Sequence, residues 1–208
     1  MGLNKKIEEM TIENYFDILS TNNPVPGGGS VSGVTGTQGI GLVLLVLNLT
    51  LGKEKYAEYK EENEETYRQA VSLFTRLRKS ADKDVEAYSK LSLAYKISKV
   101  DPNRKNIIGE YTYDATKAPF ELMEMCYEGC KLAEKLIGKS NKTAVSDLAV
   151  AARCFECASK SAWYNVKINL PNLLNEDDKK YFDEKGREYI EEIEKLAIEI
   201  CNQVEKMF

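Results

Sequence analysis

From Val31 to Leu51 the chain runs for 21 residues without a charged side chain, and four of these residues, Gly33, Gly36, Gly39 and Gly41, are glycines. A glycine inside a helix costs roughly 1 kcal/mol relative to alanine. A helix carrying four of them makes sense only where neighbouring backbone must come close, which places it at the centre of a fold. The stretch is introduced by Pro24-Val25-Pro26-Gly27-Gly28-Gly29-Ser30. Prolines restrict this turn, glycines free it, and Ser30 is positioned to cap the helix that follows. A membrane span competes with the core-helix reading, because the length suffices. The glycine and threonine content, Gln38 and Asn48 within the run, and amphipathic segments downstream that need a partner helix all favour burial.

The 208 residues, 43% hydrophobic and 30% charged, read as one domain over 1–208 with a substantial core. A net charge of −4 and a pI near 5.2 give no overall attraction to nucleic acid or anionic lipid. Histidine is absent. That removes the commonest general base, Ser-His and Cys-His nucleophile pairs, and most transition-metal sites. Proton transfer near neutral pH then falls to a perturbed carboxylate, lysine, tyrosine or cysteine. The cysteines are Cys126, Cys130, Cys154, Cys157 and Cys201; without a recognisable signal peptide they are expected to be reduced, in a cytoplasmic protein.

Only helical periodicities occur, so the expected fold is an all-α, single-domain bundle around the glycine-rich helix. A short amphipathic helix is expected at about 9–21, with Ile12, Tyr15, Phe16 and Leu19 on one face. A long charged helix is expected from about 53 to 99. Its positions 67, 70, 74, 77, 81, 84, 88, 91 and 95 keep the alternating three-and-four spacing of a packed seam. They read Tyr, Ala, Phe, Leu, Ala, Asp, Tyr, Leu, Tyr. Asp84 is the one carboxylate in that stripe. Such a group either pairs with a cation or a backbone donor, or does chemistry, because burial without a partner costs several kcal/mol and raises its pKa.

After a polar connector at 100–110, helical pattern resumes over about 111–138, with Pro119 expected to kink or restart it. From about 142 to 169, Asp147, Ala151, Cys154, Ala158, Ser161 and Asn165 form a strip of small side chains with a polar residue at each end. Asn175 opens a last amphipathic helix bearing Phe182, Tyr189, Ile193, Leu196 and Ile200. Glycines 27–29 do not make a phosphate loop, because no strand pattern precedes them and no Gly-Lys-Ser/Thr follows. The two cysteine pairs lie in helical pattern rather than on the turns of zinc sites, so no metal is expected.

Three blocks carry a resemblance. Pro24 to Ser30, with the small-residue helix and Asn48-Leu-Thr50-Leu-Gly-Lys53-Glu-Lys55-Tyr56, resembles the opening of the formiminotransferase-cyclodeaminase family, specifically its cyclodeaminase domain, which also occurs as stand-alone methenyltetrahydrofolate cyclohydrolase. Asp84-Val-Glu-Ala-Tyr88 is similar to that family's Asp-x-Glu-Ala-Phe/Tyr element. Ser146-Asp147-Leu-Ala-Val-Ala-Ala152 and Asn165-Val-Lys-Ile-Asn-Leu170 are similar to a third, in order and at similar spacing. Ile97-Ser98-Lys99 departs from the family's usual Leu-Pro-Lys, and 100–112 is poorly matched.

The resemblance implies an all-helical domain that forms a homodimer, needs no tightly bound cofactor, and takes a tetrahydrofolate derivative as substrate in a cleft. It implies catalysis by Asp84, either cyclodeamination of 5-formiminotetrahydrofolate or hydrolysis of 5,10-methenyltetrahydrofolate. A non-catalytic interaction protein on the same scaffold is the remaining alternative. For binding, Gly27, Gly28, Gly29 and Ser30 are expected to form a wall. Thr37 and Asn48, with Gly41 between them on one helix face, together with Asp147 and Asn165, would meet the pterin. Lys53 and Lys55 are the nearest cations for the glutamate tail. No nucleic acid or membrane partner is expected.

Overall fold

The structure is a computed structural model and describes residues 5–208. Thr11 caps the first helix, α1 (Ile12–Leu19), by accepting a hydrogen bond from the Asn14 N–H. The glycine-rich run forms α2 (Gly28–Asn48). It starts earlier than the sequence implies: Gly27 is the N-cap, without a side-chain hydrogen bond, and Ser30 sits in the first turn instead of capping it.

The expected long charged helix is two helices, α3 (Lys60–Arg78) and α4 (Ser80–Ala94), preceded by a short 3-10 segment at Glu54–Tyr59. The break at Lys79 coincides with the Ser80 hydroxyl donating to the Leu77 carbonyl, a local bond that competes with the helical ladder. It also coincides with α2 crossing at this point, where a Cβ on Gly33 would stand 2.7 Å from the Ala81 nitrogen.

Helix α5 (Arg104–Lys135) begins inside the supposed connector and runs straight through Pro119. Proline deprives the carbonyl four residues earlier, Ala115, of its helical donor. Asn169 Nδ2 donates to that carbonyl at 3.1 Å, so the helix continues with its backbone satisfied. Helix α6 (Val145–Asn169) and a cap by Asn175, which accepts from the N–H groups of Asp177 and Asp178, lead into α7 (Glu176–Glu205).

There is no strand among the described residues, and the fold is the expected all-α bundle. Helix α2 packs against α3, α4, α5 and most extensively α6, to which it runs antiparallel: Gly28 lies beside Asn165 and Gly39 beside Ala151 and Phe155. The buried Phe155 ring explains part of the glycine content. A Cβ on Gly39 would stand 2.9 Å from it, and one on Gly129 of α5 would stand 2.5 Å away.

Candidate active site

Asp84 projects from the first half of α4 onto the first turn of α2. The approach is so close that a Cβ on Gly29 would sit 1.9 Å from Asp84 Oδ1. Any side chain at position 29 would push the carboxyl group away. Burial raises the Asp84 pKa from 3.8 to about 6, and the neighbouring Ser30 hydroxyl partly offsets this by favouring the ionised form. No hydrogen bond of normal geometry joins the two, and the fully buried Ser30 Oγ has no partner. No cation pairs with Asp84 among the described residues.

Asp84 opens into a cleft of about 410 Å³, lined by Pro24, Val25, Gly27, Gly28 and Gly29 on one side. Tyr88 and Leu91 of α4, Tyr95 just after that helix, Ala115 of α5, Asn165, Ile168 and Asn169 at the end of α6, and Asn172 in the short 3-10 turn Leu170–Asn172 that follows complete it. The size lies in the range of small-molecule sites, about 300–1,000 Å³. Its lining combines one perturbed carboxyl, three amides and aromatic rims, and contains no lysine or arginine. Tyr88 and Tyr95, read from spacing as core, are 43% and 49% exposed because their half of the stripe faces this opening. A hollow of about 460 Å³ between α5 and the start of α7 is larger, but it bears Glu110, Asp114 and Asp178 and none of the expected site residues.

Of the expected residues, Gly27, Gly28, Gly29, Asp84 and Asn165 meet at the cleft, with Ser30 directly beneath. The other five do not. Thr37 is half-buried partway along α2 and donates its hydroxyl to the Gly33 carbonyl. Asn48 is exposed at the far end of α2, roughly 30 Å from Gly28 at the helical rise. Lys53 lines a separate cavity of about 210 Å³ with Tyr56, Lys60 and Asn63, and the Lys55 ammonium lies 5.7 Å from the centre of the Tyr56 ring. Asp147 is in the first turn of α6, at the opposite end of that helix from Asn165. The linear spacing that aligned these groups on faces carried no information about which end of each helix forms the site.

Asn169 and Asn172 were not singled out from the sequence. Asn169 falls four residues after Asn165 in the same block, and Pro119 was its second signal, since a proline within a helix leaves a carbonyl that a nearby amide can satisfy. The cysteines take no part: Cys126 and Cys130 are buried with thiol pKa values pushed up by burial, that of Cys130 to about 12. Among the described residues no three His, Cys, Asp or Glu side chains are placed to hold a metal.

The formiminotransferase-cyclodeaminase family profile matches residues 11–199. Methenyltetrahydrofolate cyclohydrolase of Methylorubrum extorquens is 32% identical over 182 residues, 86% of each chain. Formimidoyltransferase-cyclodeaminase of Rattus norvegicus is 24% identical over 91% of this chain but only 35% of its own length. The crystal structure of formiminotetrahydrofolate cyclodeaminase from Thermotoga maritima superimposes with a TM-score of 0.81 at 27% identity, covering 97% of both chains. The chain therefore belongs to the formiminotransferase-cyclodeaminase family of folate one-carbon enzymes.

Proposed function

We propose that the protein converts 5-formiminotetrahydrofolate to 5,10-methenyltetrahydrofolate and ammonia, with Asp84 moving the proton. The observation that carries this reading is the Asp84 carboxyl group, desolvated against Gly29 with a pKa of about 6, facing a folate-sized cleft. Such a group is populated in both protonation states near neutrality, which suits it to accept a proton and return it.

In the reaction N10 attacks the carbon of the protonated formimino group, giving a tetrahedral centre bonded to N5, N10 and the amino nitrogen. Ionised Asp84 takes the proton from N10 and delivers it to the amino group. The C–N bond then breaks, releasing neutral ammonia and leaving the positive charge delocalised over N5 and N10 of the methenyl bridge. The Asn165, Asn169 and Asn172 amides supply donors and acceptors for the pterin edge, and Tyr88 and Tyr95 offer flat apolar surface to the aromatic rings. The substrate is the only folate involved and no tightly bound cofactor is required.

A second reading, hydrolysis of 5,10-methenyltetrahydrofolate, is favoured by the likeness to the Methylorubrum extorquens cyclohydrolase over most of both chains. There Asp84 would deprotonate water attacking the same carbon. A spectrophotometric assay of methenyl formation and decay with both substrates separates the two. Release of ammonia from the formimino compound supports cyclodeamination; methenyl decay without ammonia release supports the hydrolase. In either case Asp84→Asn should remove turnover while the helical circular dichroism is unchanged, and retained activity would take the proton transfer away from Asp84.

A further inference from the structure

We propose that Arg104 is a positioning residue of the Asp84 cleft: from the first position of α5 it reaches back and clasps the end of α4, fixing the rim on which Tyr95 stands against the substrate. The role given to Tyr95 rests on the folate reading above; the clasp rests on hydrogen bonds and burial alone.

A helix N-terminus carries partial positive charge, so acidic side chains are favoured in a first turn and basic ones are not. Helix α5 opens on Arg104 and Lys105, with no acidic residue in its first turn and no side-chain bond from its N-cap, Asn103. Arg104 thus begins a helix at the end that repels it. Its guanidinium is turned elsewhere: Nε donates to the Ile97 carbonyl at 3.0 Å and Nη2 to the Tyr95 carbonyl at 3.3 Å. Both carbonyls lie just past Ala94, at the negative pole of α4, where carbonyls lack helical donors and a cation is favoured. The arginines that pair with carboxylates among the described residues are Arg68, Arg76, Arg78, Arg153 and Arg187, so the Arg104 fork is given to backbone.

Little else holds this rim. From position 95 to 106 every residue is exposed except Ile97 and Arg104, which are half-buried. The stretch 95–101 has no proline to restrict it. Its own backbone bonds are single-turn contacts, from the Lys96 N–H to the Leu93 carbonyl and from the Ile97 N–H to the Ala94 carbonyl. Exposed backbone bonds without packing are the first to open. The planar fork of an arginine holds two carbonyls at once, in a fixed relation to each other and to α5, which a lysine ammonium does not do. Tyr95, whose carbonyl is one of the two, lines the cleft. Asp84 lies about three turns earlier on α4, ~16 Å along the axis, so the clasp acts on binding rather than on proton transfer.

Arg104→Ala should raise KM for the reduced folate about three- to tenfold, because binding must then order the rim, and leave kcat within about twofold. Arg104→Lys should keep the raised KM, and Lys105→Ala, which removes an exposed charge from the same turn, should leave both constants unchanged. If Arg104→Lys restores the wild-type KM, or Lys105→Ala raises it equally, the residue contributes charge alone and the proposal is overturned. In a Tyr95→Ala background, Arg104→Ala should add almost nothing to KM, since it acts through that side chain; additive effects overturn it as well. Native-state hydrogen exchange followed by mass spectrometry reads the clasp without a ligand. In Arg104→Ala the amides of 95–97 should exchange on the order of tenfold faster, while those of α2 and α6 keep their protection. Unchanged exchange at 95–97 overturns the clasp, and protection lost across the whole bundle does so too, by making Arg104 a residue of the fold rather than of the rim. If the wild type turns over no reduced folate, the folate reading fails and the effect on KM with it, whereas exchange still decides whether Arg104 holds the rim.

Discussion

Asp84 is held by two opposed requirements. Its carboxyl group is desolvated by the Gly29 backbone, which lifts the pKa to about 6, and the folded state therefore binds a proton that the unfolded chain releases at lower pH. Between about pH 4 and 6 the native state carries more protons than the unfolded state, so this group's contribution to stability falls as pH rises through that window. Above it the ionised, buried carboxylate costs up to about 3 kcal/mol. Asp84→Asn should accordingly raise stability at pH 8 by a similar amount in urea titrations while losing activity. The rate of the wild type should fall below about pH 6 as Asp84 protonates. Ser30→Ala removes the hydroxyl that favours ionisation and should move that acid limb to higher pH. An unmoved limb would show that Ser30 has no part in setting it.

At the scale of the helices, the cleft depends on a repair. Pro119 leaves the Ala115 carbonyl of α5 without its helical donor, and the Asn169 amide at the end of α6 fills the vacancy while also donating to Asn165 O. Asn169→Ala should cost about 1–3 kcal/mol, because it orphans a half-buried carbonyl. Adding Pro119→Ala restores an N–H to that carbonyl. The double variant should recover most of the loss in a denaturant titration, and a simple sum of two destabilisations would disprove the coupling. Helix identity and order were legible from periodicity. The break at Lys79 and the continuity through Pro119 were not, because both are decided by side chains from other elements or by a competing serine hydroxyl. The site was legible only where it coincided with a local oddity: a carboxylate in an apolar stripe and glycines at a helix start.

For the whole molecule, the architecture makes a claim about access. Cys126 and Cys130 of α5 lie in the core shared by α2, α5 and α6, fully buried and with raised pKa values. A thiol reagent should label them only at the rate of global unfolding, and rapid native-state labelling would contradict this packing.

The sequence by itself determined the all-α class, the central place of the glycine-rich helix and the singling out of Asp84, because each follows from local pattern: period 3.6, the cost of glycine in a helix, the cost of a buried carboxylate. Which ends of the helices form the cleft was decided by the tertiary structure. Running antiparallel, α2 and α6 join Gly28 to Asn165 and carry Asn48, Lys53 and Asp147 to the other end. A helical pattern fixes which residues share a face, but only packing fixes which neighbour lies opposite and in which direction it runs.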